Sequence, residues 1–112
     1  ATDESIPRPL KKSEYRLEFG SRAAEKAWND LLATRRNLLT DAWDKLTTDP
    51  LGETSLCYPL QHNLSTVIRN GTPHERWHLK LSLGDGARIW FYVEGHKVVL
   101  EAVHTRHPNE TK

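Results

Sequence analysis

The stretch Trp77-His78-Leu79-Lys80-Leu81-Ser82-Leu83-Gly84-Asp85-Gly86-Ala87-Arg88-Ile89-Trp90-Phe91-Tyr92-Val93 decides how this chain folds. Apolar residues take every second position on both sides of a glycine-rich centre, the period of half-buried β-strands joined by a turn. Trp77, Leu79, Leu81 and Leu83 therefore point to one side of a sheet, together with Ala87, Ile89, Phe91 and Val93. Arg76, His78, Lys80 and Ser82 point to the other, together with Arg88, Trp90 and Tyr92. Short connections make neighbouring strands antiparallel.

Outward from this stretch the strands continue. Glu94-Gly95-His96 reads as a turn and Lys97–Val103 as the last strand. Upstream, Leu64–Arg69 reads as a strand followed by Asn70-Gly71, the strongest short hairpin signal, while Pro73 and His74 predict a connection wider than two residues. Leu51–Asn63 has no clear period and reads as a loop with a short strand near Cys57–Leu60. Before residue 50 the period changes to that of helices. Ser21 caps a first helix with Ala24, Trp28, Leu31 and Leu32 on one stripe. Thr34 and Arg35-Arg36-Asn37 mark a break, after which Leu39, Ala42, Trp43 and Leu46 repeat the stripe until Asp49-Pro50 stops it. Tyr15, Leu17 and Phe19 alternate with charged residues in a first strand over Ser13–Phe19. Residues 1–12, with Pro7, Pro9 and Lys11-Lys12, read as a flexible arm ahead of a domain over residues 13–112.

The expected fold is α+β, in the order β-α-α-β-β-β-β: a helical hairpin from about Ser21 to Asp49 on one face of an antiparallel sheet of four to five strands. Trp28 and Trp43 are expected to pack against Leu79, Leu81, Ile89 and Phe91.

The chain's 112 residues suit one domain and exclude a Rossmann enzyme with a substrate domain or a TIM barrel. Its single Cys, Cys57, cannot close an intrachain disulfide and reads as a small buried hydrophobe, which with the lack of a signal-like apolar start gives a cytoplasmic reading. No run of apolar residues is long enough to span a membrane. The Asn63, Asn70 and Asn109 triplets match the glycosylation pattern but are discounted for want of a secretory signal. Net charge is +1, yet residues 57–112 hold seven basic residues against five acidic ones and all six His. Ionisable nitrogen is thus concentrated in the half that carries the strands.

On the face away from the helices, Arg76, His78, Lys80 and Arg88 lie among Trp90 and Tyr92. Cations for phosphates and rings for bases are what recognition of single-stranded RNA requires. A solvated polar sheet face is the plain alternative. The terminal run His104-Thr105-Arg106-His107-Pro108-Asn109-Glu110-Thr111-Lys112 follows the last strand and can fold back over that face. Its imidazoles, guanidinium and ammonium can move protons and stabilise phosphate charge without a metal, although a solvated tail has the same composition. His62, His74 and His96 read as surface residues, and no zinc-ligand spacing is present.

The layout of strand, helix with Ala24-Glu25-Lys26-Ala27-Trp28-Asn29-Asp30-Leu31, second helix closing at Asp49-Pro50, then Trp77-His78-Leu79-Lys80-Leu81, Ala87-Arg88-Ile89-Trp90-Phe91-Tyr92-Val93 and Val103-His104-Thr105-Arg106-His107 resembles the RelE/ParE superfamily of bacterial toxin-antitoxin toxins. The resemblance covers residues 13–112. It implies a toxin that, in the RelE branch, cleaves mRNA in the ribosomal decoding site without a cofactor and is held inactive by an antitoxin. It implies a basic pair at His78 and Lys80, a strand Arg at Arg88 and a further Arg at Arg106. The terminal tyrosine of RelE-like enzymes falls near Lys112, where this chain has none; other members use histidines, for which His104 and His107 are available. Arg76, Trp90, Tyr92 and Lys112 are then RNA contacts. A ParE-like gyrase poison would not need the Lys80, Arg88 and Arg106 cluster, and a non-catalytic RNA- or protein-binding module would use it only as an anchor.

Overall fold

The computed structural model describes residues 6, 8–61, 65–82 and 86–105. The chain runs β1 (Arg16–Phe19), α1 (Arg22–Thr34), α2 (Arg36–Thr48), β2 (Cys57–Pro59), β3 (Thr66–Arg69), β4 (Thr72–Glu75), β5 (Trp77–Lys80), β6 (Arg88–Glu94) and β7 (Lys97–His104). Five strands form one sheet in the order β1-β7-β6-β5-β2, and β3 pairs with β4 in a separate two-stranded sheet. The mixed α+β class is as the periodicities require.

Local chemistry sets the start of the first helix and the end of the second. Ser21 caps α1, its Oγ accepting from the Ala24 N–H at 3.1 Å and satisfying one of the donors that a helix start leaves open. The helices are separated by one residue, Arg35, whose φ of −139° and ψ of 53° interrupt the spiral. Asp49 terminates α2. Leu31, Leu39, Ala42 and Leu46 from the helices share one core with Trp77, Leu79, Leu81, Ala87, Ile89, Phe91, Val98, Leu100 and Val103 from the strand region, and Trp28 packs against it. Trp43 is turned toward the arm, where the Arg8 guanidinium lies 5.8 Å from its ring centroid. Arg8 also pairs with Glu14 at 3.0 Å. Thr47 is fully buried and its carbonyl accepts from the Tyr15 N–H at 2.8 Å, tying the end of α2 to the start of β1. No helix among the described residues is long and apolar enough to cross a membrane.

Three features of the strand region depart from the sequence expectation. The sheet is mixed, because β1 pairs parallel with β7, Arg16 opposite Lys97 through Phe19 opposite Leu100. Short loops force antiparallel pairing only between consecutive strands; β1 and β7 are at opposite ends of the chain, so no loop sets their relative direction. The Asn70-Gly71 connection is two residues long, since Arg69 pairs with Thr72. Asn70 at φ 54° and Gly71 at φ 78° supply the two left-handed positions of a type I′ turn, and Pro73 is accommodated because β4 is an edge strand. Finally, the hairpin partner of β3 is not the strand carrying Trp77. The chain changes sheets at Arg76, whose N–H donates to the Ser65 carbonyl at 2.9 Å.

The small hairpin lies on the sheet face opposite the helices. Val67 of β3 forms a second apolar cluster with Tyr92 and Val99, and His74 of β4 stacks on Tyr92 with centroids 4.6 Å apart. One end of the face that sequence alternation leaves open is therefore roofed.

Candidate functional site

The side-chain alternation of β5 and β6 is as expected, and with His104, which is the last residue of β7 and not the first of a tail beyond it, a row of three basic groups crosses the sheet. Lys80 on β5 is directly opposite Arg88 on β6, and Arg88 is directly opposite His104 on β7. Neighbouring strands are about 4.8 Å apart, so the row is about 10 Å from end to end. The three side chains are half-buried. Arg88 Nε donates to the Gly86 carbonyl at 3.1 Å, which fixes the base of the guanidinium on its own strand. The row ends at the rim of the sheet, away from the β3–β4 roof.

The next row inward is aromatic. Tyr58 on β2 is opposite His78, His78 is opposite Trp90, and Trp90 is opposite Ala102. Tyr58 and His78 meet edge to face at 5.2 Å, as do Trp90 and His104 at 5.2 Å. The Lys80 ammonium lies 5.6 Å from the Tyr58 ring centroid, and the Arg76 guanidinium lies 5.7 Å from that of Trp90. Both are cation–π distances.

Further in, charge is neutralised rather than displayed. Arg76 Nε donates to Glu101 Oε1 at 2.8 Å and its Nη2 to Oε2 at 2.9 Å, a bidentate pair. Arg69 Nη2 reaches the same Oε2 at 3.1 Å. Glu101 faces this side as the residue after the inward Leu100, and a bulge follows: Phe91 pairs with Leu100 but Trp90 pairs with Ala102, so the one-residue shift turns Val103 to the core and sets His104 opposite Arg88.

The expected site residues thus separate into groups. Lys80, Arg88 and His104 are brought together. His78 is adjacent but only 4 % exposed, and Tyr92 is 6 % exposed beneath the hairpin. These two belong to the interior of the face, a correction that follows from the β3–β4 roof and the β2 edge, neither of which alternation alone reveals. Arg76 is held by Glu101 and is not displayed for phosphate. Arg106, His107 and Lys112 lie outside the described residues. His74, read as a surface residue, instead stacks on Tyr92 with its Nε2 buried, and Tyr58, Arg69 and Glu101 are the structural participants that the pattern did not single out. For the bulge beside Glu101 a signal exists: the core positions of β7, Val98, Leu100 and Val103, are spaced by two and then three, the mark of a bulge. For Tyr58 the three-residue strand between Leu56 and Leu60 was too short to show a period.

Chemically, this end of the face offers a permanent cation in Arg88, a point charge in Lys80 and the imidazole of His104, whose Nε2 is buried. Among the described residues no group of three or more His, Cys, Asp or Glu is placed to hold a metal ion. Comparison of the chain with models of protein families, with curated proteins and with solved structures finds no match.

Proposed function

We propose that this chain is a toxin of the RelE-like kind, an endoribonuclease that cuts mRNA on the ribosome and is restrained by a cognate antitoxin in the cytoplasm. The observation that carries the reading is the cross-strand row Lys80, Arg88 and His104, flanked by the rings of Tyr58 and Trp90. A metal-independent cut requires a base to take the RNA 2′ proton, cations to stabilise the phosphorane oxygens as charge develops, and an acid for the leaving 5′ oxygen. His104 is the proton-transfer group, since an imidazole can act as base and as acid, and Arg88 binds phosphate oxygens through its remaining donors. Lys80 adds charge. His78, enclosed behind Tyr58, supports the aromatic row and does not reach a phosphate. Arg106 and His107, two and three residues beyond His104 in the sequence, are the further candidates for stabiliser and acid.

A second reading, an RNA-binding module without catalysis, is favoured by one observation: the Arg76 guanidinium is neutralised by Glu101, which reduces the charge available to a transition state. The two are separated by incubating programmed ribosomes with the protein and with Arg88→Ala. Cleavage by the wild type that is lost in the variant supports the nuclease; binding without cleavage supports the module. Neither, together with inhibition of gyrase supercoiling, transfers the chain to the ParE-like branch.

A further inference from the structure

We propose that Tyr58 is the nucleobase platform of this face, and that its ligand is a single RNA strand with one base unstacked beside the phosphate gripped by Lys80 and Arg88. The inference rests on the RNA reading above and names the part of the nucleotide that the row of cations does not hold. Sequence alternation assigns base contacts to Trp90 and Tyr92, but both rings are engaged within the protein. Tyr92 is buried and stacked on His74. Trp90 has Arg76 over its ring and His104 edge-on to it, and its Nε1 is buried. Tyr58 differs in position. It stands on β2, the strand at the edge of the sheet, half-buried, with His78 meeting it edge to face.

The group lying over the Tyr58 ring is the Lys80 ammonium. A partly exposed cation–π contact of this kind is weaker than the stacking of a base on an aromatic side chain, so a base displaces the ammonium from the ring. The displaced charge stays within reach of Arg88 in the neighbouring strand, where the nucleotide's own phosphate meets it. Ring and cation are thereby used by one nucleotide, base on Tyr58 and phosphate on Lys80 and Arg88. A paired base has no free face to stack, which restricts the ligand to single strands.

The test measures fluorescence anisotropy of a labelled 2′-O-methyl RNA strand about eight nucleotides long, within the usual single-strand site size, and of the same strand with abasic positions. Tyr58→Leu is expected to weaken binding of the intact strand by about 5- to 150-fold, the loss of one stacked base, and to leave binding of the abasic strand and the salt dependence as in wild type. Tyr58→Trp is expected to retain affinity. Lys80→Ala is expected to lower the salt slope instead. Equal affinity of Tyr58→Leu and wild type for the intact strand, while Arg88→Ala binds weakly, overturns the role of Tyr58 and leaves the RNA reading standing. So does an equal loss on both strands. If Tyr58→Leu fails to fold, the wild type decides: equal affinity for intact and abasic strands overturns the platform. Absence of any binding by the wild type overturns the RNA reading and the platform together.

Discussion

Arg76 and Glu101 are 25 residues apart in sequence and are joined by two charge-assisted hydrogen bonds of 2.8 and 2.9 Å, with side chains only 15 % and 14 % exposed. The contact locks the residue where the chain changes sheets to the residue beside the bulge of β7. Removing one member of a pair this enclosed leaves a charge without its partner, and Glu101→Ala also brings Arg69 and Arg76 together uncompensated. Glu101→Ala is expected to destabilise the fold by about 3–5 kcal/mol. Arg69→Ala, whose side chain is 47 % exposed, is expected to lose at most about 1 kcal/mol. Urea unfolding of the two variants checks the order, and equal losses would show that Arg69 shares the burial of Arg76.

Gly71 turns the β3–β4 hairpin with φ at 78° and has open space around a Cβ position. Gly71→Ala therefore meets no neighbour, and its penalty is the backbone strain of an L-residue in the left-handed region, about 1–2 kcal/mol. Because the hairpin is a separate sheet resting on Tyr92 and Val99, the strain falls on the hairpin first. Hydrogen exchange at Val67 and His74 is expected to accelerate in Gly71→Ala while exchange at Phe91 and Leu100 is unchanged. Uniform acceleration through both sheets would mean that the roof and the main sheet open as one unit.

The helices were legible because capping and an i, i+4 stripe are local signals: Ser21, the break at Arg35 and the stop at Asp49 all stand where the residues place them. The inward set of β5 and β6 was legible for the same reason, since alternation acts over four to seven residues. What alternation cannot convey is what lies on top of a strand. His78 and Tyr92 alternate outward as clearly as Lys80 and Arg88 do, yet the first pair is covered by β2 and by the hairpin and the second is not. That difference is made by contacts such as His74 on Tyr92, which are set by tertiary packing. The parallel pairing of β1 was hidden for a related reason, because the direction of a strand relative to a distant partner has no local code.

Cys57 is fully buried in the core, its Sγ 3.6 Å from the Pro50 carbonyl. Burial pushes its thiol pKa up, since the thiolate is poorly solvated there. The folded state then holds its proton above the pH at which the unfolded thiol, at about 8.5, releases it. Stability from this group is present below that pH and lost as pH rises through it toward the folded value. Wild type is expected to lose more stability than Cys57→Ala between about pH 8 and pH 10, after a constant offset for the cavity the variant leaves. Parallel pH profiles would show that the thiol titrates alike in both states. At neutral pH a thiol reagent is expected to label Cys57 only on unfolding.

Arg88 and His104 are directly opposed on β6 and β7, and the proposed nuclease makes different demands on them. Arg88 acts on charge that develops in the transition state, so Arg88→Ala is expected to lower the single-turnover cleavage rate about 10²–10³-fold at all pH values. Arg88→Lys keeps the charge and loses the bidentate geometry, and is expected to recover part of that loss. His104 acts on a proton. Its replacement by Ala is expected to lower the rate about 10²–10⁴-fold and to remove a limb of the pH–rate profile that Arg88→Ala retains. His104 also touches the Trp90 ring, so His104→Gln, which keeps a polar side chain of similar length, serves as the control for packing. If His104→Gln cleaves as wild type does, with the pH profile intact, His104 is a packing residue and the acid–base groups lie in the terminal run with His107; if Arg88→Ala also cleaves at the wild-type rate, the Lys80, Arg88 and His104 row is not the site of the chemistry.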